Sequence, residues 1–145
     1  MTVINKSALV PYSAEQMYQL VDDIERYAEF LPWCGKATEL SRSITEVEAS
    51  LFISHSGLNK AFTTRNTLYP HTKIDMQLVE GPFKKLHGSW QFENLGDAGC
   101  KASLILEFEF SSKLIGLTLG PVFSKIANNL VDAFIQRARN IYGAG

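Results

Sequence analysis

The feature that most constrains this chain is a change of hydrophobic period. Between about Gly35 and Phe110 apolar side chains recur at every second position, and after Ser112 they recur at helical spacing. Val47, Ala49, Leu51 and Ile53 alternate with Glu48, Ser50 and Ser54. Ile74, Met76 and Leu78 alternate with Asp75 and Gln77. Leu86, Gly88, Trp90 and Phe92 alternate with His87, Ser89, Gln91 and Glu93, and Leu104, Leu106, Phe108 and Phe110 with Ser103, Glu107 and Glu109. Turn-forming residues separate the runs at Ser56-Gly57, Tyr69-Pro70, Gly81-Pro82 and Gly96-Asp97-Ala98-Gly99. The pattern predicts a meander of antiparallel strands with one dry and one wet face.

A dry face must be covered. The long amphipathic segment that can do this runs from about Pro121 to Tyr142. Ile126, Ala127, Leu130, Phe134, Ala138 and Ile141 share one stripe, with Lys125, Asn128, Asp132, Gln136 and Arg139 opposite. Pro121 suits the first turn of a helix, so Leu114, Ile115 and Leu117 are expected in a separate turn or kinked extension. Ahead of the meander, residues 2–10 read as a strand that ends at Pro11. Ser13 and Gln16 form a capping box for a first helix carrying Met17, Leu20 and Val21. A second short helix, about Glu25–Phe30, stops before Pro32. The expected order is β-αα-ββββββ-α, an α+β fold in one domain spanning residues 1–145. Two short helices cannot cover six to seven strands, so the sheet is expected to curl around the last helix while the short helices plug one end.

Composition narrows the function classes. The chain has 145 residues, 46% hydrophobic and 20% charged, which suits a globular domain with its own core. The formal net charge of −1 argues against a dedicated nucleic-acid binder, and DNA binding is not expected. The N-terminus shows no signal-peptide or presequence pattern, and no apolar run reaches the roughly 18 residues of a membrane span. A cytoplasmic protein that is not integral to a membrane is the expectation. Cys34 and Cys100 form no CxxC pair and read as free thiols.

Catalytic patterns are weak. Glu107 and Glu109 share the polar side of their strand and read as solvated carboxylates. His55, His71 and His87 lack metal-ligand spacing, so no metal is expected. There is no G-x-S-x-G elbow, Cys34 has no matching histidine, and Gly81 and Gly88 do not open a phosphate-binding helix. Glu80, at the end of the Ile74-Met76-Leu78 series, is the best in-phase acid for an enzymatic reading, although the adjoining Gly81-Pro82 suggests a position at the rim. Thr64 and Asn66 share parity with Phe62 and Leu68, which points two hydrogen-bonding groups inward. Lys84 and Lys85 follow the Gly81-Pro82-Phe83 turn as a basic knob expected near Arg137 or Arg139.

Several segments together carry a family resemblance. They are Leu9-Val-Pro-Tyr-Ser-Ala-Glu-Gln-Met-Tyr-Gln-Leu-Val21, Phe30-Leu-Pro-Trp-Cys34, Phe62-Thr-Thr-Arg-Asn66 and Leu78-Val-Glu-Gly-Pro-Phe-Lys-Lys-Leu-His-Gly-Ser-Trp90, with Phe108-Glu-Phe110, Lys113-Leu-Ile115 and Asn129-Leu-Val-Asp-Ala-Phe134. Across about residues 2–142 the chain resembles the RatA family of ribosome association toxins, which is grouped with the mitochondrial coenzyme Q-binding proteins in the START-like, polyketide cyclase/dehydrase superfamily. The resemblance implies a helix-grip fold with an internal cavity. It implies no required cofactor, no enzymatic activity and two kinds of binding. One is ubiquinone or a similar lipid held in the cavity in support of respiration, with Trp33, Thr64, Asn66, Met76, Trp90, Phe108, Phe123 and Phe134 as candidate lining residues. The other is attachment to the large ribosomal subunit, blocking subunit association, with Lys84, Lys85, Arg137 and Arg139 as candidate contacts and a small β-grasp antitoxin as a further partner. The superfamily name also implies a rival, a cyclase or dehydratase acting in the same cavity.

Overall fold

The computed structural model describes residues 2–55 and 57–143. Ser56, expected to break the chain together with Gly57, lies outside the described residues. In chain order the elements are β1 (Thr2–Val10), α1 (Ala14–Asp22), a 3-10 helix (Ile24–Glu29), β2 (Cys34–Arg42), β3 (Glu46–His55), β4 (Leu58–Tyr69), β5 (Lys73–Glu80), β6 (Phe83–Asn94), β7 (Cys100–Phe110) and α2 (Lys113–Tyr142). The seven strands form one antiparallel sheet ordered β1-β7-β6-β5-β4-β3-β2. The sheet is open, with β1 and β2 at its edges, and α2 lies in its concavity.

Local chemistry sets the ends of the helices. The Ser13 hydroxyl accepts from the Gln16 amide at 3.1 Å, and Gln16 Oε1 accepts from the Ser13 amide at 2.9 Å, completing the capping box. Arg42 then bridges α1 to the sheet edge, donating to Asp22 Oδ2 at 3.1 Å and to Glu39 Oε2 at 3.1 Å. β2 shows no clean alternation in the sequence because it bulges twice against β3, between Cys34 and Lys36 and between Glu39 and Ser41.

The last helix begins earlier than its apolar stripe suggests. It is continuous from Lys113, and Pro121 lies inside it rather than at its start. Ser112 supplies the N-cap, accepting from the Ile115 amide at 3.2 Å. Pro121 gives no hydrogen bond back to Leu117, but both residues face solvent, where water can meet the freed carbonyl. Ile141, placed on the buried stripe by spacing, is exposed, and Val131 is buried instead. By length and composition α2 is the one helix among the described residues that would suffice to cross a membrane. Here its apolar stripe packs against the sheet.

Two apolar clusters hold that contact. In one, the Phe134 ring meets Trp90 and Phe30 at centroid distances of 5.2 Å and Tyr27 at 5.4 Å. In the other, Phe123 meets Phe108 at 4.8 Å and Phe83 at 4.9 Å. Edge-to-face pairs of this kind add about 0.5–1.5 kcal/mol each beyond area burial. The clusters lie eleven residues apart on α2, about 16 Å at 1.5 Å per residue.

The β6–β7 turn has to fit closely against the end of β1. Gly99 has φ +140°, and a Cβ there would stand 1.9 Å from the Val10 carbonyl oxygen. Gly96 has φ +60° with open space around it. Gly99→Ala is therefore expected to cost about 3 kcal/mol or more, while Gly96→Ala costs about 1–2 kcal/mol. Urea denaturation of both variants checks this, and equal losses would contradict the stated packing.

Candidate ligand-binding cavity

A cavity of about 80 Å³ remains where the two clusters meet. Ile24, Leu31, Trp90 and Phe134 line it from one cluster, and Phe62, Leu106, Phe123 and Ala127 from the other. Trp33, Thr64, Asn66, Met76, Trp90, Phe123 and Phe134, seven of the eight expected lining residues, reach it. Phe108 does not. It is buried within the second cluster behind Phe123, with Phe83 and Phe110 against its ring, so its inward phase places it in the core. Tyr27, Leu31, Ala49 and Ala127 also line the cavity. The parity of Ala49 with Leu51 was a signal for it, while Tyr27 and Leu31 gave none, because they come from the helical plug.

The lining is apolar except for one polar spot on β4. The buried Thr64 hydroxyl donates to Asn66 Oδ1 at 2.9 Å. With its oxygen engaged, Asn66 offers a ligand its Nδ2–H donors. The register shifts between Thr63 and Thr64 where β4 meets β5, so Phe62, Thr63 and Thr64 are all buried in succession. Gly88 keeps the floor open. A Cβ there would sit 2.9 Å from both Leu106 Cδ1 and the Ile105 carbonyl oxygen, and 3.1 Å from Met76 Cε, pressing two lining side chains inward.

Size limits what the cavity holds in this state. An apolar cavity that accepts benzene measures roughly 150 Å³, about twice this one. A substituted quinone ring does not fit without movement. An outer groove of about 520 Å³ adjoins the cavity, and Leu31, Trp33, Ile126 and Leu130 line both spaces. These four side chains form the partition. The Trp33 backbone is fixed, its carbonyl accepting from the Ser54 amide at 2.8 Å, so opening falls to the side chains and to α2. His55, Lys125, Asn129 and Asp132 give the groove a polar rim.

Acid–base chemistry is sparse inside. Among the described residues the cavity lining holds no Asp, Glu, His, Lys, Arg or Cys. Its one titratable group is Tyr27, whose hydroxyl donates to the Val21 carbonyl and whose pKa burial pushes far above the ordinary phenol value. Glu80 is exposed at the end of β5, outside the cavity. Cys34 and Cys100 are free and buried, and burial raises both thiols, which leaves them protonated and weakly nucleophilic. Glu107 lies on the outer face and pairs with His87 at 3.0 Å. No group of three or more metal-ligating side chains occurs among the described residues.

The four expected ribosome contacts do not form one patch. The Ser111 amide donates to the Pro82 carbonyl at 3.0 Å, which puts the turn before β6 beside the start of α2; Lys84 and Lys85, expected at that turn, are strand residues at the start of β6. Arg137 and Arg139 sit near the other end of α2, about 36 Å away along 24 residues of helix. Arg137 is also engaged. It donates to Glu29 at 2.8 Å and lies over the Phe30 ring at 4.8 Å, with only 14% of its side chain exposed. Lys84, Lys85 and Arg139 are exposed.

Known proteins resemble this chain along nearly its whole length. The model of the polyketide cyclase / dehydrase and lipid transport family matches residues 10–135. A ribosome association toxin of Vibrio cholerae is 49% identical over 143 residues, covering 99% of this chain and 99% of its own. A mitochondrial coenzyme Q-binding protein of Drosophila melanogaster is 31% identical over 142 residues, covering 95% of this chain and 59% of its own length. An aromatase/cyclase from Streptomyces sp. R1128 superposes with a TM-score of 0.77 at 18% identity, covering 99% of this chain and 98% of its own, which shows the shared fold. The open seven-stranded sheet gripping α2 is the START-like fold of that family. This chain belongs to the RatA family of ribosome association toxins, within the polyketide cyclase / dehydrase and lipid transport family.

Proposed function

We propose that this protein acts by binding and not by catalysis, and that its cavity takes an isoprenoid quinone or a similar apolar molecule carrying a carbonyl. The observation that carries the reading is the lining itself, an aromatic and aliphatic surface with a single Thr64–Asn66 polar spot and no charged acid or base. An apolar ring gains from the faces of Trp33, Trp90 and Phe134, and Asn66 supplies the donor for one carbonyl. Entry requires Trp33 and Leu130 to part and join the cavity to the outer groove. The similarity to a coenzyme Q-binding protein supports this ligand class. A cytoplasmic setting fits the bacterial relatives.

A second binding activity is attachment to the large ribosomal subunit, which would occlude the surface that meets the small one. Full-length identity of 47–49% to proteins named ribosome association toxins favours it. Lys84 and Lys85 are adjacent exposed cations at the start of β6 that suit rRNA phosphates, and Arg139 lies too far along α2 to share their patch. A cyclase reading has less support, because Glu80 does not reach the cavity.

Both tryptophans of the chain line the cavity, so ligand entry has an optical readout. Titration with short-chain ubiquinone should quench tryptophan fluorescence saturably. Asn66→Leu should weaken the midpoint about tenfold, the loss of one hydrogen bond to a buried carbonyl. No saturable quenching, together with no quinone in native mass spectra of the purified protein, would refute the cavity ligand. For the second activity, sucrose gradients should show assembled ribosomes giving way to free subunits as protein is added. Lys84→Glu with Lys85→Glu should weaken the effect in a salt-dependent way, and an unchanged profile at saturating protein would count against it.

A further inference from the structure

The polar spot in the cavity is rich in donors and poor in acceptors. Thr64 and Asn66 are 8% and 7% exposed, and the Thr64 hydroxyl proton is taken by Asn66 Oδ1 at 2.9 Å. The Asn66 amide therefore presents its two Nδ2–H protons to whatever enters. The register sets Ala49 and Leu78 on either side of Thr64, and Val47 and Met76 on either side of Asn66. None of these side chains carries an oxygen or a nitrogen. They also fix the sense of the amide, since an inverted Asn66 would leave the Thr64 proton with no side-chain acceptor on those strands. From α2 the cavity is lined by Phe123, Ile126, Ala127, Leu130 and Phe134, all apolar. The remaining polar groups tilt the balance further. Trp33 and Trp90 carry indole N–H groups, which only donate. Among the described residues the side-chain acceptors of the lining are the oxygens of Thr64, Asn66 and Tyr27, each already held in one hydrogen bond.

We propose that the cavity discriminates by oxidation state and holds a quinone more tightly than its quinol, with Asn66 as the selecting residue and Thr64 as the positioning residue that orients its amide. The inference rests on the quinone reading of the cavity. A quinone carbonyl only accepts, which matches the Asn66 donors. Reduction adds two electrons and two protons and turns both carbonyls into hydroxyls. Each new O–H must donate, and an O–H buried without an acceptor loses the hydrogen bond it made to water. The two forms have nearly the same size and apolar area, so contact with Trp33, Trp90 and Phe134 does not separate them. The hydrogen-bond balance does. Tighter hold on the oxidised form lowers the midpoint potential of the bound ligand, by about 30 mV for each tenfold ratio in a two-electron couple. Such a protein keeps quinone in the form that accepts electrons.

Anaerobic calorimetric titration with one short-chain ubiquinone and with its borohydride-reduced quinol gives the ratio of the two dissociation constants. The quinol should bind about tenfold more weakly. Saturating protein should lower the midpoint potential of the same quinone by about 30 mV in a redox titration. The ratio cancels any general loosening of the cavity, so it also reads the variants. Asn66→Leu should bring it to about one. Thr64→Val frees the amide to turn its oxygen to the ligand and should also collapse the ratio, while Thr64→Ser keeps the hydroxyl and should restore it. If Thr64→Val does not fold, the parent, Asn66→Leu and Thr64→Ser ratios decide. Equal affinity of the parent for both forms, or tighter binding of the quinol, would overturn the inference and leave the quinone reading standing. A tenfold ratio retained by Asn66→Leu or by Thr64→Val would overturn the role given to that residue. Binding of neither form would overturn the quinone reading and this inference with it.

Discussion

The structure depends on one contact, the packing of α2 into the concave face of a seven-stranded sheet. An antiparallel sheet with one dry face is not stable without a cover, and no other helix among the described residues is long enough to provide one. Phe134 and Phe123 make the contact at two places about 16 Å apart. Each is seated in a ring of aromatic side chains, from the helical plug and β6 in one case and from β6 and β7 in the other. Two anchors on one rigid rod leave the span between them less tightly filled. The cavity is that span, so it follows from how the fold closes.

The same geometry explains why the site is chemically quiet. Residues that point inward from a meander are selected by phase, and phase here admits Leu, Met, Phe and Trp. The polar exceptions, Thr64 and Asn66, bond to each other and leave only amide donors to spare. Acids and histidines alternate with the apolar set and fall on the outer face, as His87 and Glu107 do. A Streptomyces aromatase/cyclase shares this fold, but among the described residues the lining carries no Asp, Glu, His, Lys, Arg or Cys, and burial pushes the Tyr27 hydroxyl far above the ordinary phenol value. Binding is what such a surface does best.

Much of this was legible in the sequence, for a physical reason. A strand's period of two fixes which residues face inward, so alternation alone points Met76, Trp90, Thr64 and Asn66 toward the cavity they line. Period does not encode depth along the sheet. Phe108 has the inward phase but lies beneath Phe123, out of reach of a ligand. Tyr27 and Leu31 enter from the 3-10 helix and the residues after it, a segment held by buried apolar side chains such as Met17, Val21 and Ile24 but too short for a period that marks which of its residues reach the cavity. Pro121 misled for a related reason. Its local preference for a helix start was overridden by the Ser112 cap and by a solvent-facing position that tolerates a missing hydrogen bond. Distances along α2 likewise separated Lys84 and Lys85 from Arg137, which sequence alone had grouped.

The central claim is that the space between sheet and helix is the functional site and not a packing defect. Ala49 lines that space from β3, and Ala49→Leu adds a side-chain volume close to the 80 Å³ available. Melting temperature and short-chain ubiquinone affinity, measured on this one variant, test the claim directly. A filled functional cavity should leave the protein as stable as before or more so, because an apolar void is occupied, while ligand binding falls below detection. Unchanged stability with unchanged ligand affinity would place the binding elsewhere and contradict the account.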